Sequence, residues 1–483
     1  MLEEFRKRQV VKLGLAPTRR NLSRKNFFDK ADAKVEKDLI EDMLEAKGIE
    51  YVNLDFLNEE GIICNGLDAE KAAKYFIDEK VDAIFAPHCN FGTEDAVAKL
   101  AKKVGKPLLI WGPRDDAPLS DGSRLRDSQC GLFATTKVLQ QFGVTYSYIP
   151  NCRMEDAIFE TGFSDFMAAA AVVKVFKNAR IGQIGVRPAA FWTVKCNEEE
   201  LLNCFGIEVV PISIADLKIM MDRVAAEEPE QVAKVKAEIR EKIEVITLNE
   251  TEMDLLAAMK IAILEWARAE QLDAAAMLCT GAVRQMLKIC QCFVMADLTD
   301  DGFPVACETD IHGALTSLMV QAAVQGKTAT FLADMTIRHP ENDNAELLWH
   351  CGVFPASLKK EGCVGKLNDH YGANVPGVAE WEIKGGDITI CRFDGAGGTY
   401  KLLFSEGKGI SGPKNKGTYL WAEFKNWLKL EKRLIDGPYI HHCTGVHGNI
   451  TGALYEACRY IPELNADPVD PTEEELENRL IGE

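Results

Sequence analysis

Apolar and polar positions alternate through the first 150 residues in one repeating unit, a short apolar run followed by a stretch with helical periodicity. Strand-like runs at 10–15, 51–54, 81–86 and 107–111 are separated by helices predicted near 31–46, 69–77 and 93–104, and a helix near 130–141 with a strand near 144–149 closes the series. Strands alternating with helices of this length predict a parallel, doubly wound sheet. A second series runs through a helix at 166–176, a strand at 181–186, a helix at 198–204 and a strand at 207–212. Two helices across 214–245 are broken at Pro229, a helix start of the capping-box kind stands at Thr251-x-x-Asp254, and the strand 274–278 is again followed by a helix.

Beyond His350 glycine becomes frequent, and strand-like runs at 378–383, 388–393 and 400–405 are joined by Gly-rich turns before an acidic helix that opens at Thr472-x-x-Glu475. The pattern predicts an α/β chain with two doubly wound, Rossmann-like parallel-sheet domains, residues 1–160 and 161–350. A smaller β-rich C-terminal domain, 351–483, follows.

Composition narrows the function classes. The 483 residues are 47% apolar, enough to fill several cores, so disorder is excluded as the dominant state. Asp plus Glu number 74 against 56 Lys plus Arg, and the resulting charge of −18 opposes general attraction to nucleic acid or anionic membranes. Charges within Met1 to Arg8 stand where a secretory leader needs an apolar core, and the greasiest stretch, 166–176, contains Lys174 and is too short to span a bilayer. The 15 cysteines are scattered, Cys290-x-Cys292 being the tightest pair, which fits reduced thiols and a cytoplasmic protein. C-x-x-C and H-E-x-x-H spacings are absent, so any metal would be held by residues distant in sequence.

Candidate chemistry centres on two carboxylates. Ala306 to Asp310 reads as the end of a strand leading into an apolar helix, and 328–334 is a β-branched strand ending in Asp334. If the two strands are parallel neighbours, Glu308 and Asp334 share the carboxyl edge where open α/β sheets place ligands. Such a pair can hold a divalent cation or pass protons, and an added imidazole favours Mn²⁺ or a similar transition ion; the plain alternative is that each caps a helix or faces solvent. Five of the eight histidines lie at or after residue 350, among them His350 and the His441-His442 and His447 cluster, read as a turn before a helix near 450–458. Gly407-x-Gly409-x-x-Gly412 lacks a surrounding βαβ unit and is read as a turn. After the first strand, Arg19-Arg20-x-x-x-Arg24-Lys25 is basic, and a strand-end loop is where an arginine could grip a polar or anionic substrate.

At three places the chain resembles the L-fucose isomerase and L-arabinose isomerase superfamily: Leu13 to Arg19, the unit from Glu308 to Asp334, and the His441-His442 segment with its following helix. The resemblance implies a Mn²⁺ held by Glu308, Asp334 and His442, with Mg²⁺ or Co²⁺ as alternatives. It implies that His350 lies near the metal or substrate, that His441 joins Arg19 among substrate-binding residues, and that the loop 87–92, carrying Cys89 and Phe91, approaches a neighbouring subunit's active site in a homo-hexamer. L-Fucose isomerases have a tryptophan in that loop, whereas Cys89 beside Phe91 stands here. The implied activity is aldose–ketose isomerisation of an open-chain sugar through a cis-enediol, with Glu308 and Asp334 as proton-transfer groups. L-Fucose, D-arabinose or L-arabinose is the substrate type first expected. The alternatives are the same chemistry on an anionic sugar such as sulfoquinovose, gripped by Arg19, Arg20 and the polar loop from Arg114 to Arg126, or sugar binding without turnover.

Overall fold

Leu13-Gly14-Leu15 forms the first strand, β1, whose three residues are all buried. It is followed by β2 (Tyr51–Val52), β3 (Ala83–Pro87), β4 (Leu108–Trp111) and β5 (Ser147–Tyr148), which pair in the order β2-β1-β3-β4-β5 with every ladder parallel. The helices between them start and stop where the sequence provides caps. The Asn65 side chain accepts the amides of Leu67 and Asp68, and Gly105 ends the helix Glu94–Val104 in the left-handed region. Gly14 admits the Phe76 ring, which would stand 2.9 Å from a β-carbon there. This computed structural model describes residues 2–21 and 30–481; Arg24 and Lys25 of the basic run lie outside the described residues. The chain divides into two units, the first comprising Val10–Lys174 with Tyr455–Tyr460 and the residues from Glu477, the second the residues to Gln9 with Val175–Leu454 and Ile461–Leu476.

The second unit contains a smaller parallel sheet, ordered β10-β9-β6-β7, built from β6 (Arg180–Ile184), β7 (Glu208–Ile212), β9 (Ala274–Met277) and β10 (Val305–Cys307). The short strand β8 (Val245–Ile246) lies elsewhere. Pro229 begins the helix Pro229–Lys242, as its place at a helix start allows. The capping box of the next helix is Asn249 with Glu252, two residues earlier than the Thr251-x-x-Asp254 reading; asparagine in an extended conformation caps as well as threonine. The helix Ile311–Ala323 is buried along its whole length, because it packs on β9 and β10 and also on strands of the sheet that follows.

That sheet is where expectation and structure part. Its strands are β11 (Phe331–Arg338), β12 (Ala345–His350), β13 (Lys366–Asp369), β14 (Pro376–Glu382), β15 (Gly386–Ala396), β16 (Thr399–Ile410), β17 (Thr418–Phe424), β18 (His442–His447) and β19 (Leu464–Pro468). Six of them close on themselves, β16-β15-β18-β11-β12-β17 and back to β16, every pair antiparallel. The result is a six-stranded barrel extended by β14, β13 and β8 on one side and by β19 on the other. The α/β character and the β-rich C-terminal region are as expected. The doubly wound description fits the five-stranded sheet better than the four-stranded one, one of whose helices lies between the sheet and the barrel.

Three local readings are corrected. The strand ending in Asp334 is not a parallel neighbour of β10 but the antiparallel barrel strand β11, paired with β12 and β18. The His441 to Gly448 segment is the strand β18, its glycine and cysteine fitting a close-packed barrel wall. Gly407 and Gly409 lie in β16 at the seam with β17, where a β-carbon on Gly407 would stand 2.8 Å from the Phe424 ring and one on Gly409 would meet the Gly385 backbone. They permit a close approach of strands that a turn would not require.

Candidate active site

β10 ends at Cys307, and the next two residues, Glu308 and Thr309, take left-handed conformations with φ of 62° and 56°. Two successive non-glycine residues in that region are strained, and such strain tends to accumulate where function fixes a side chain. Asp310 then caps the helix Ile311–Ala323, its side chain accepting the amide of Gly313. On the barrel side, antiparallel register sets Asp334 of β11 directly opposite His442 of β18 and opposite Trp349 of β12, so that His350 arrives one residue further along. Directly opposed residues on one face stand within side-chain reach.

These elements bring together the three residues that the resemblance implied as metal ligands. His442 Nε2 lies 3.1 Å from Glu308 Oε2 and 3.4 Å from Asp334 Oδ1. His350 Nε2 and His441 Nε2 stand 4.0 Å and 3.8 Å from the same Asp334 oxygen. Glu308 and Asp334 thus meet, although from the end of a parallel sheet and the wall of a barrel rather than from one sheet edge.

The donor set fits a divalent cation. Asp334 Oδ1 and His442 Nε2 are buried and have no hydrogen bond among the described residues, and leaving such an atom unpaired costs about 1–3 kcal/mol. Two such atoms beside Glu308 fit a shared positive charge, whereas His350 Nδ1 accepts the Cys351 amide, so its Nε2 faces Asp334 as a hydrogen-bearing nitrogen. Asp334, His441 and His442 each offer a ligand atom within 4.8 Å of the others, and Glu308 adds a further oxygen. Mixed carboxylate and imidazole ligation suits Mn²⁺ and related ions.

Electrostatics follow the same geometry. Burial of His442 opposes its protonation, but the Asp310 and Glu308 carboxylates outweigh it and raise the ring to about 10. Burial raises the Glu308 carboxyl, yet the facing histidines, His442 first, hold it below its ordinary value. Burial and the neighbouring His442 lower His441, whose side chain is 44% exposed where that of His442 is wholly buried. A cation bound here therefore replaces a proton on His442.

The remaining candidates belong to the first unit. Its strand order reverses between β1 and β3, the position where open sheets of this order bind ligands at the carboxyl ends of strands. Arg19 and Arg20 follow β1 there, and the loop His88 to Gly92 follows β3. Arg19 is buried, 3.4 Å from Glu60, and its Nε has no hydrogen bond among the described residues. The Arg20 guanidinium lies 4.2 Å from the centre of the Phe91 ring and 3.3 Å from Glu94. Cys89 is fully buried, which pushes its thiol well above the ordinary range. His88 is also buried, its Nε2 2.8 Å from Thr135 Oγ1, and burial lowers it to about 4.

Two residues at the site were not assigned roles from sequence. Asp310, 2.8 Å from His442 Nδ1, was visible as an acidic residue heading an apolar helix. Arg392, bonded to Asp310 through both terminal nitrogens, was visible as a lone charge in the apolar run 388–393.

Comparison with known proteins adds independent evidence. Residues 21–177 match the family described as fucose/sulfoquinovose isomerase, N-terminal domain. The sulfoquinovose isomerase of Alkalicoccus urumqiensis is 27% identical over 382 residues, 78% of this chain and 84% of that protein. That of Priestia aryabhattai is 25% identical over 387 residues, 79% and 84% of the two chains. The family match covers mainly the first unit, whereas the cradle of carboxylates and histidines lies in the second.

Proposed function

The chain belongs to the L-fucose isomerase-like superfamily and is an aldose–ketose isomerase; from that premise we propose that it is metal-dependent and acts on an anionic sugar of the sulfoquinovose type. The observation that carries the metal dependence is the convergence of Asp334 Oδ1 and His442 Nε2, both buried and without a hydrogen bond among the described residues, beside Glu308. Glu308, Asp334 and His442 would hold the cation, with His350 and His441 beside it. When bound, such an ion supplies Lewis-acid stabilisation of the charge that develops on the sugar oxygens.

The chain's own residues supply the rest. Aldose–ketose interconversion moves one proton between C2 and C1 and another between O2 and O1, so it needs a base that accepts the carbon-bound proton and returns it. Glu308, held ionised by the histidines around it, and Asp334 are the carboxylates placed for that exchange. His350 is almost fully buried, and because its Nδ1 accepts the Cys351 amide at 2.9 Å, its Nε2 carries a hydrogen that can be donated to a sugar oxygen.

The anionic substrate is supported by the sulfoquinovose isomerases among the relatives. The neutral-sugar expectation for fucose or arabinose draws no comparable support. The deciding experiment incubates the Mn²⁺-loaded protein in D₂O with sulfoquinovose, L-fucose and L- and D-arabinose, following deuterium uptake at C2 and ketose formation. Exchange strongest with sulfoquinovose, with a KM that rises with salt, is the expected result. Preference for the neutral sugars at a salt-independent KM would overturn the substrate reading.

A further inference from the structure

We infer that Asp310 is the positioning residue of the site: a buried carboxylate that fixes His442 so that Nε2, and not Nδ1, faces the cradle. This inference rests on the metal-dependent reading above and deepens it. The argument begins with how Asp310 spends its two oxygens. Oδ1 accepts the Gly313 amide at 2.9 Å and an Arg392 nitrogen at 3.2 Å, while Oδ2 accepts the other Arg392 nitrogen at 2.5 Å and faces His442 Nδ1 at 2.8 Å. Asp310 and Arg392 are both about 1% exposed.

Capping the helix explains one of these contacts and no more. A neutral serine or asparagine would satisfy Gly313 equally well. A buried ion pair by contrast carries a large desolvation cost, so it is poor evidence for stability. This pair is in addition held in one orientation. Arg392 Nε is bonded to Asp394 at 3.1 Å, and Asp394 Oδ1 lies 3.2 Å from His312 Nδ1. Gly313 leaves room for the carboxylate, since a β-carbon there would stand 2.7 Å from Asp310 Oδ2.

The consequence for His442 follows from imidazole chemistry. A ring nitrogen 2.8 Å from a carboxylate carries a hydrogen, and in the neutral ring the other nitrogen then presents its lone pair. That other atom is Nε2, the one facing Glu308 and Asp334. A carboxylate behind a ligating histidine fixes the tautomer and raises the basicity of the ligand, and its loss typically costs ~10–100-fold in metal affinity.

The test is Asp310→Asn. Asparagine keeps an acceptor for Gly313 but offers an amide N–H to Nδ1, which favours the ring with its hydrogen on Nε2. With free Mn²⁺ read by electron paramagnetic resonance, the expected Kd is ~10–100-fold weaker than wild type, while on a His442→Gln background the same change alters Kd less than twofold. A Kd within twofold of wild type, or an equal loss on both backgrounds, overturns the inference while leaving the metal reading intact. Failure of the wild-type protein to bind Mn²⁺ overturns both. Should Asp310→Asn not fold, a crystal structure of the Mn²⁺-loaded wild-type protein decides. Mn²⁺ on Nε2 with Nδ1 against Asp310 is expected, and coordination through Nδ1 would overturn the inference.

Discussion

Replacing Glu308 by glutamine keeps the shape of the side chain and removes its charge, so it separates the chemistry of the site from its packing. The carboxylate stands 3.1 Å from His442 Nε2, and although burial opposes ionisation, the histidines hold it below its ordinary range, so near neutral pH it is available as a base. A positioned proton-transfer group contributes ~10²–10⁴-fold, which corresponds to ~2.7–5.4 kcal/mol of barrier. Glu308→Gln should therefore lower kcat by at least ~10²-fold at saturating Mn²⁺, a condition that removes any loss of cation affinity from the comparison. Stability should move the other way when the backbone is relieved. Glu308 sits at φ 62°, a conformation costing non-glycine residues about 1–3 kcal/mol, so Glu308→Gly should unfold at higher denaturant while being inactive. Ketose formation and urea unfolding measure the two effects. A kcat for Glu308→Gln within tenfold of wild type at saturating Mn²⁺ would refute the assignment of Glu308 to proton transfer.

Three further outcomes are expected. Dialysis against a chelator should abolish turnover and lower Tm, and Mn²⁺ at ~100 times its Kd should restore ~2.7 kcal/mol of stability; a fully active metal-free protein would contradict the cradle. Burial raises the Glu346 carboxyl to about 7, so its contribution to stability is full below the ordinary carboxylate range and is lost as pH rises through about 7. Glu346→Gln should therefore be the more stable protein in urea at about pH 8, with that advantage shrinking toward about pH 5; parallel stability curves would contradict this. A β-carbon on Gly445 would stand 2.2 Å from the buried Phe331 ring, so Gly445→Ala should cost about 1–3 kcal/mol, part of it recovered by pairing the change with Phe331→Leu.

How much of this was legible in the sequence depends on whether a signal was local. The alternation of apolar runs and helical stretches placed β1, β3 and β4 and the helices Lys30–Ala46 and Glu94–Val104 within a few residues, because period-2 and period-3.6 burial is written in adjacent positions. The reciprocal Thr472 and Glu475 hydrogen bonds were equally legible, being three residues apart. The barrel was not. Nothing near Phe331 indicates that its strand pairs with residues 442–445, more than a hundred positions away, and a βα rhythm up to residue 323 favoured continuing the parallel sheet. The glycines at 407 and 409 were read as a turn for the same reason, since their meaning lies in Phe424 and Gly385 across the seam.

The meeting of Glu308, Asp334 and His442 nevertheless follows from register, and register explains why neighbouring residues have different fates. In β18 the side chains alternate, so His442 and Thr444 share one face while Cys443 belongs to the other, and His441, which precedes the strand, still stands 3.8 Å from Asp334. Thr444 Oγ1 lies 3.0 Å from Ser317 Oγ on the helix Ile311–Ala323, so the shared face is the one turned toward that helix, whose capping residue is Asp310. His442 thus meets Asp310 behind it and Asp334 beside it, both by strand and helix geometry. A one-residue slip between β11 and β18 would exchange the faces, turning His442 outward and presenting the Cys443 thiol instead. The cluster of Asp334 and His442 is therefore specified by the pairing of two antiparallel strands as much as by the identity of its residues. This is why a search along one edge of one sheet picked out two carboxylates that do approach the same imidazole, yet assigned one of them to the wrong strand partner.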